Sequence, residues 1–231
     1  ASEGVRVCIC SRSQANLDAA LVLLPSSIGF VCDVSNVAQI EAWHSFCCSE
    51  LGAPDILVTN TGGPPAGSLS SMTDEQWQAG FDSTLMNVVR MVRLVTPGMV
   101  SKGWGRIVHV TSLVAKEPSG LLPISSTLRA GLMAMTRLQA LELAPSGVTV
   151  NSVLPGHTLT DRQLHLASVR ASKLGVTPEE ALQMQAHEVP VNRLGKPEEI
   201  GASIAFLCSV PAAYITGVSL LVDGGMVKGL A

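Results

Sequence analysis

Aromatic residues are scarce in this chain: four Phe, three Trp and one Tyr make up 3% of its 231 residues. The apolar mass, 47% of the chain, therefore comes from Val, Leu, Ile and Ala, as a doubly wound sheet and its covering helices require. Charge is sparse as well, at 14% with a net −3, and Lys and Arg form no run. Without a basic stripe, neither nucleic acid nor an anionic membrane surface is expected as a partner. Cysteine occurs only at positions 8, 10, 32, 47, 48 and 208, three of them in apolar runs that read as strands, where a thiol behaves as a small hydrophobe. No metal centre or disulfide is expected from them. No basic segment with an apolar core opens the chain, so no secretory signal is expected and a cytoplasmic protein with reduced thiols is the default. The uncharged window 203–222 is long enough to suggest a membrane span. Pro211, Gly217 and the polar Ser209, Tyr214 and Thr216 break it, and a helix, a turn and a strand explain it better.

What is present is an alternation of short β-branched runs and helical stretches. Strands are read at 5–10, 28–32, 56–59, 105–110, 148–154 and 218–222. Between them lie helices at 14–24, capped by Ser13, and at 37–51, capped by Ser35 or Asn36. A capping box over Thr73–Gln76 opens a long helix to about residue 101, with Pro97 the place for a bend. Further helices are read at 124–144, after Asp161, after Thr177-Pro178, and up to Cys208. The alternation argues for a single α/β domain, 1–231, with a parallel sheet and helices on both faces. Residues 1–4 look like the tail of a helix, so the chain is expected to start mid-fold. His109, inside an apolar strand, is read as packing, and Tyr214 as a turn residue with its hydroxyl on a backbone group.

A glycine-rich turn opening a helix, which would cradle a pyrophosphate, is not found. Gly62, Gly63 and Gly67 lie around Pro64 and Pro65 with the wrong spacing, and Gly224 and Gly225 precede no helix.

The stretch 111–130, TSLVAKEPSGLLPISSTLRA, follows a strand and runs into a helix. With the other segments it resembles the short-chain dehydrogenase/reductase family, and the resemblance covers nearly the whole chain. The segments are Asn60-Thr61-Gly62 after a strand, Asn87 in the long helix, Pro155-Gly156-His157-Thr158-Leu159-Thr160, the run from Asn192 to Glu199, and Tyr214-Ile-Thr-Gly ahead of Asp223-Gly224-Gly225. In that family a serine follows the strand, a tyrosine stands thirteen positions later and a lysine four beyond it. Here the three places hold Ser112, Ser125 and Arg129.

The resemblance implies a Rossmann-like doubly wound sheet, from which the family's first strand and glycine-rich turn are expected to be absent. It implies an oxidoreductase working on a small-molecule carbonyl or alcohol, with Ser112, Ser125, Arg129 and Asn87 in the catalytic places. It places the cofactor against Ser11, Arg12, Asp33, Val34, Asn60, Thr61, Gly62, Arg129, Pro155, Gly156, Thr158 and Thr160. A small residue followed by arginine, Ser11-Arg12, favours NADP over NAD. Residues 161–188 correspond to a lid over the substrate, and the two long helices imply a homo-oligomer, dimer or tetramer. A serine is a far weaker acid than a phenol of pKa about 10. Three readings therefore stay open: an enzyme with an altered proton donor, a non-catalytic ligand- or partner-binding protein, and an incomplete chain without activity.

Overall fold

The computed structural model describes residues 1–229, apart from the side chains of residues 162, 165, 166, 169 and 173. Six strands run β1 Cys8–Ser11, β2 Ile28–Val31, β3 Ile56–Thr59, β4 Gly105–Val110, β5 Val148–Pro155 and β6 Ser219–Val222. Helices α1 Gln14–Leu23 and α2 Val37–Leu51 alternate with the first three strands. Ser13 and Asn36 cap them, each side chain accepting a backbone N–H of the first turn. Every strand pair is parallel.

Four sequence expectations change, one of them at Tyr214, whose side chain is fully exposed and whose hydroxyl bonds no backbone group among the described residues. Residues 1–4 form a turn, closed by the Gly4 N–H on the Ala1 carbonyl, not a helix tail. The first strand starts at Cys8 rather than Val5. The long helix is broken: the Thr73–Gln76 capping box opens α3 Asp74–Phe81, a π-helical turn follows over Asp82–Met86, and α4 Asn87–Lys102 continues through Pro97. The interruption thus falls where an extra residue widens one turn, ahead of the proline.

The sheet consists of two parallel pieces, β1–β2 and β3–β4–β5–β6. Among the described residues β1 and β3 each pair with one strand only, so packing rather than a hydrogen-bond ladder joins the pieces. One apolar cluster does this, with Cys10, Phe30 and Cys32 from the first piece, Ile40 from α2, Val88 to Met99 from α4, Leu132 from α5, and Leu57, Ile107 and Val150 from the second. Helix α5 spans Pro123–Leu143 and packs on β5. On the opposite face Val108 and Val153 meet Ile200 and Leu207 of α8 Pro197–Cys208. The successive residues Ile107 and Val108 thus serve opposite layers, as strand alternation dictates. Helices α6 Asp161–Leu174 and α7 Pro178–Glu188 pack on each other through Ala167, Ala171 and Ala181. No helix among the described residues is long and apolar enough to cross a membrane.

Candidate active site

The sheet is built from two parallel pieces, β1–β2 and β3–β4–β5–β6. In parallel α/β sheets ligands bind outside the carboxyl ends of the strands. The sequence-selected residues all follow strand carboxyl ends or face them from α4 and α5.

At the end of β1, Ser11 accepts the Ser13 N–H at 3.3 Å, and Arg12 is exposed with no hydrogen bond or ion pair among the described residues. Beyond β2, the N–H and hydroxyl of Ser35 donate to Asp33 at 2.9 and 2.7 Å. Those bonds, with the positive charge of Arg12, hold the Asp33 carboxyl below its ordinary pKa. Val34 packs against the main core from the same loop. After β3, Asn60 and Gly62 are exposed, and a Cβ at Gly62 would meet nothing within 4 Å.

Ser112, directly after β4 and Thr111, caps a 3-10 turn over Leu113–Ala115, its Oγ accepting the Val114 N–H at 3.4 Å. Helix α5, opened by Pro123 at its first position, packs on that turn and carries Ser125 and Arg129, each 6% exposed. Arg129 Nε donates to Ser125 Oγ at 3.2 Å. Its Nη1 donates to the carbonyls of Val110 (3.1 Å) and Thr111 (2.7 Å), and Nη2 to that of Thr61 (3.4 Å). A planar guanidinium can fork across two strand ends in this way, whereas a lysine ammonium is a point donor. Arg129 therefore ties β3, β4 and α5 together.

Asn87 is fully buried at the start of α4. Its Nδ2 donates to the Ser83 carbonyl at 2.7 Å, while Oδ1 has no partner. The π-turn directly ahead of it is a feature that recurs at functional sites. Beyond β5, a Cβ on Gly156 would lie 2.6 Å from the Asp223 Cα, so only glycine lets the loops after Pro155 and Val222 approach. Thr158 Oγ1 donates to the Gly156 carbonyl at 3.2 Å, and Thr160 caps α6 by accepting the Gln163 N–H. His157 lies 3.8 Å from Glu188, which also holds Arg170 at 2.9 Å and so ties α6 to the end of α7.

Side-chain contacts join Ser125 to Arg129, and Arg129 reaches Thr61, but the β1 and β2 loops carrying Arg12 and Asp33 form a separate polar group. Sequence reasoning missed the π-turn and the use of Arg129 on backbone carbonyls. It also left His109 without partners. The ring is fully buried, bonded to Thr59 Oγ1 and Gln139 Oε1 at 2.9 Å each, and burial pulls its pKa down to about 4. A histidine flanked by valines in a strand was the available signal.

A parallel α/β fold with its polar loops at the strand carboxyl ends defines a dinucleotide-binding type of protein. Comparison with known proteins narrows this. A family model described as enoyl-(acyl carrier protein) reductase matches residues 1–227. A putative ketoacyl reductase of Streptomyces coelicolor is 32% identical over 97% of this chain and 88% of its own length. Actinorhodin polyketide ketoreductase, solved with NADPH, superposes with a TM-score of 0.94 at 32% identity, covering 99% of this chain and 90% of that one. An NADPH-bound short-chain oxidoreductase from Pseudomonas aeruginosa, described as containing an atypical catalytic centre, gives 0.88 at 31% identity over 99% and 90%. The chain belongs to the short-chain dehydrogenase/reductase family, a family of oxidoreductases.

Proposed function

We propose that this chain binds NADP(H) in preference to NAD(H) and interconverts a small carbonyl compound and its alcohol. The observation that carries the reading is the exposed Arg12 at the carboxyl end of β1, which makes no hydrogen bond or ion pair among the described residues and acts on the Asp33 carboxyl only through its charge, while Ser11 stands where a carboxylate would repel a 2′-phosphate. Asp33 and Val34 would lie beside the adenine. Asn60, Thr61 and Gly62 line the open end of β3, and Pro155, Gly156, Thr158 and Thr160 would face the nicotinamide half. When bound, the cofactor supplies the hydride. The chain's own residues orient and protonate: Ser112 and Ser125 hold the substrate oxygen, and the orphan Oδ1 of Asn87 accepts a water that replenishes the proton. Arg129 holds the Ser125 oxygen through its Nε–H and adds the positive charge that an alkoxide requires.

In this reading residues 1–231 form one domain and 161–188 its lid, whose Leu, Met and Ala content suits an apolar substrate. Exposed Leu138 and Leu141 on α5, at 65% and 59%, support a homo-oligomer, dimer or tetramer; a light-scattering mass of one chain would overturn that. The six free thiols suit a cytoplasmic location. A second reading, a ligand-binding protein without turnover, is favoured by one observation: Arg129 is engaged with three backbone carbonyls and a serine, beside a site with no phenol.

Cofactor fluorescence and NADPH oxidation over a panel of ketones and 3-oxoacyl thioesters separate the readings. NADPH should bind about 10-fold more tightly than NADH, with Arg12→Ala erasing the difference; equal or tighter NADH binding would overturn the cofactor assignment. Without a positioned phenol, turnover should fall about 10²–10⁴-fold below an ordinary enzyme of this class, and Ser112→Ala should abolish it. Cofactor binding with no turnover, restored by Ser125→Tyr plus Arg129→Lys, would establish the second reading.

A further inference from the structure

The amino-terminal end of the sheet carries a second site, away from the loops just described. A cavity of about 590 Å³ is lined there by Trp104 and Arg106 at the start of β4, Val148 and Thr149 at the start of β5, and Val210 and Tyr214 ahead of β6. Its volume suits a small-molecule ligand. Arg106 and Thr149 are register partners in the β4–β5 ladder, so both side chains leave the face of the sheet that α8 covers. They are 3% and 5% exposed.

The two groups are incompletely satisfied. Arg106 stacks 4.5 Å from the Trp104 ring centre. Its Nη1 donates to the carbonyls of Gly105 (2.8 Å) and Gly147 (3.4 Å), and Nε to that of Ser209 (3.4 Å), just past the end of α8. Among the described residues Nη2 donates to nothing, and no carboxylate lies within ion-pair distance of Arg106. The Thr149 hydroxyl is buried without a partner. The free Arg106 nitrogen is not fully buried and stays open to solvent, whereas the Thr149 hydroxyl beside it is buried without a bond, which is costly; the two line one cavity.

We infer that this cavity binds a small organic carboxylate with an apolar body, its oxygens accepting from Arg106 Nη2 and the Thr149 hydroxyl and its body lying against Trp104, Val210 and Tyr214. One fixed cation matches one negative charge, and the flat fork of a guanidinium matches a carboxylate. The apolar walls exclude a bare inorganic anion as the preferred occupant.

Calorimetric titration of the full chain with 4-phenylbutyrate, and with the neutral 4-phenylbutanol, tests this. The carboxylate should bind with Kd below about 1 mM and the alcohol at least about 10-fold more weakly. Arg106→Gln should weaken the carboxylate about 10- to 100-fold and Thr149→Val about 3- to 10-fold, the latter by removing only a hydroxyl. Ala213→Trp, at an exposed position on the cavity wall, should block binding while circular dichroism shows the fold intact. If Arg106→Gln fails to fold, the other two variants decide. Equal affinity for the alcohol, no binding of 4-phenylbutyrate at about 10 mM, or wild-type affinity in Ala213→Trp would overturn the proposal.

Discussion

Arg129, at the carboxyl ends of β3 and β4, and Arg106, at the amino ends of β4 and β5, are both buried against the same sheet, yet their forks are differently employed. Arg129 reaches across two strands and a helix, giving hydrogens to three carbonyls and a hydroxyl. Arg106 serves its own strand end, the Gly147 turn and the end of α8, and keeps one nitrogen unengaged among the described residues. The difference teaches that a buried charge in an interior strand or helix is not one kind of object. A saturated guanidinium is a staple, and its removal opens the structure; an unsaturated one is a place where something else can bind.

The largest expected effect comes from cutting the staple. Arg129→Met should cost about 3–5 kcal/mol in urea unfolding, because it strands the buried Thr111 carbonyl, the half-buried carbonyls of Val110 and Thr61, and the Ser125 hydroxyl. A loss under about 1 kcal/mol would break the comparison. Next comes His109, part of the same well-bonded end. Its pKa is about 4 in the folded chain against 6.5 for a free side chain, so the unfolded chain binds the extra proton in that window. Stability from this group is therefore complete above pH 6.5 and is lost as pH falls toward 4, by about 3 kcal/mol at the rate of about 1.4 kcal/mol per unit. Unfolding followed from pH 7 to 4 should show that slope and its flattening in His109→Gln. The smallest effect is at the other end: Arg106→Met should change stability by about 1 kcal/mol or less, since removing an unpaired buried charge offsets the lost backbone bonds. A cost equal to that of Arg129→Met would show that the two arginines are alike.

Helix 37–51 was legible to the residue, because Asn36 caps it and Gly52 ends it in the left-handed region. Strand placement was legible wherever valine and isoleucine ran together, as in β4 and β5. The π-turn was not, since Asp82-Ser-Thr-Leu-Met86 carries no residue that forbids an ordinary α-turn. Two-piece pairing was also hidden, because strand partners depend on what lies alongside and not on the strand itself. In the candidate site the positions of Ser112, Ser125 and Arg129 could be found by spacing, but the partners of Arg129 could not: its carbonyl acceptors are up to 68 residues away. Arg106 could have been noticed as a charge inside an otherwise apolar strand, which is rare without a reason.

The π-turn has a consequence for the phase of the whole segment. A π-turn acts as one residue inserted into an α-helix, and one residue corresponds to about 100° of rotation. The faces of α3 and α4 are thereby set out of step: Gly80, which lies against Ile124 of α5, and the buried Asn87, seven residues on, would share one face of an unbroken α-helix, and the inserted residue turns the Asn87 face about 100° away from that of Gly80. In mechanical terms the turn is a phase shifter. It lets one continuous rod present two independently aimed surfaces, and the aim of the Asn87 amide is set by the count of residues between 82 and 86, not by any side chain there.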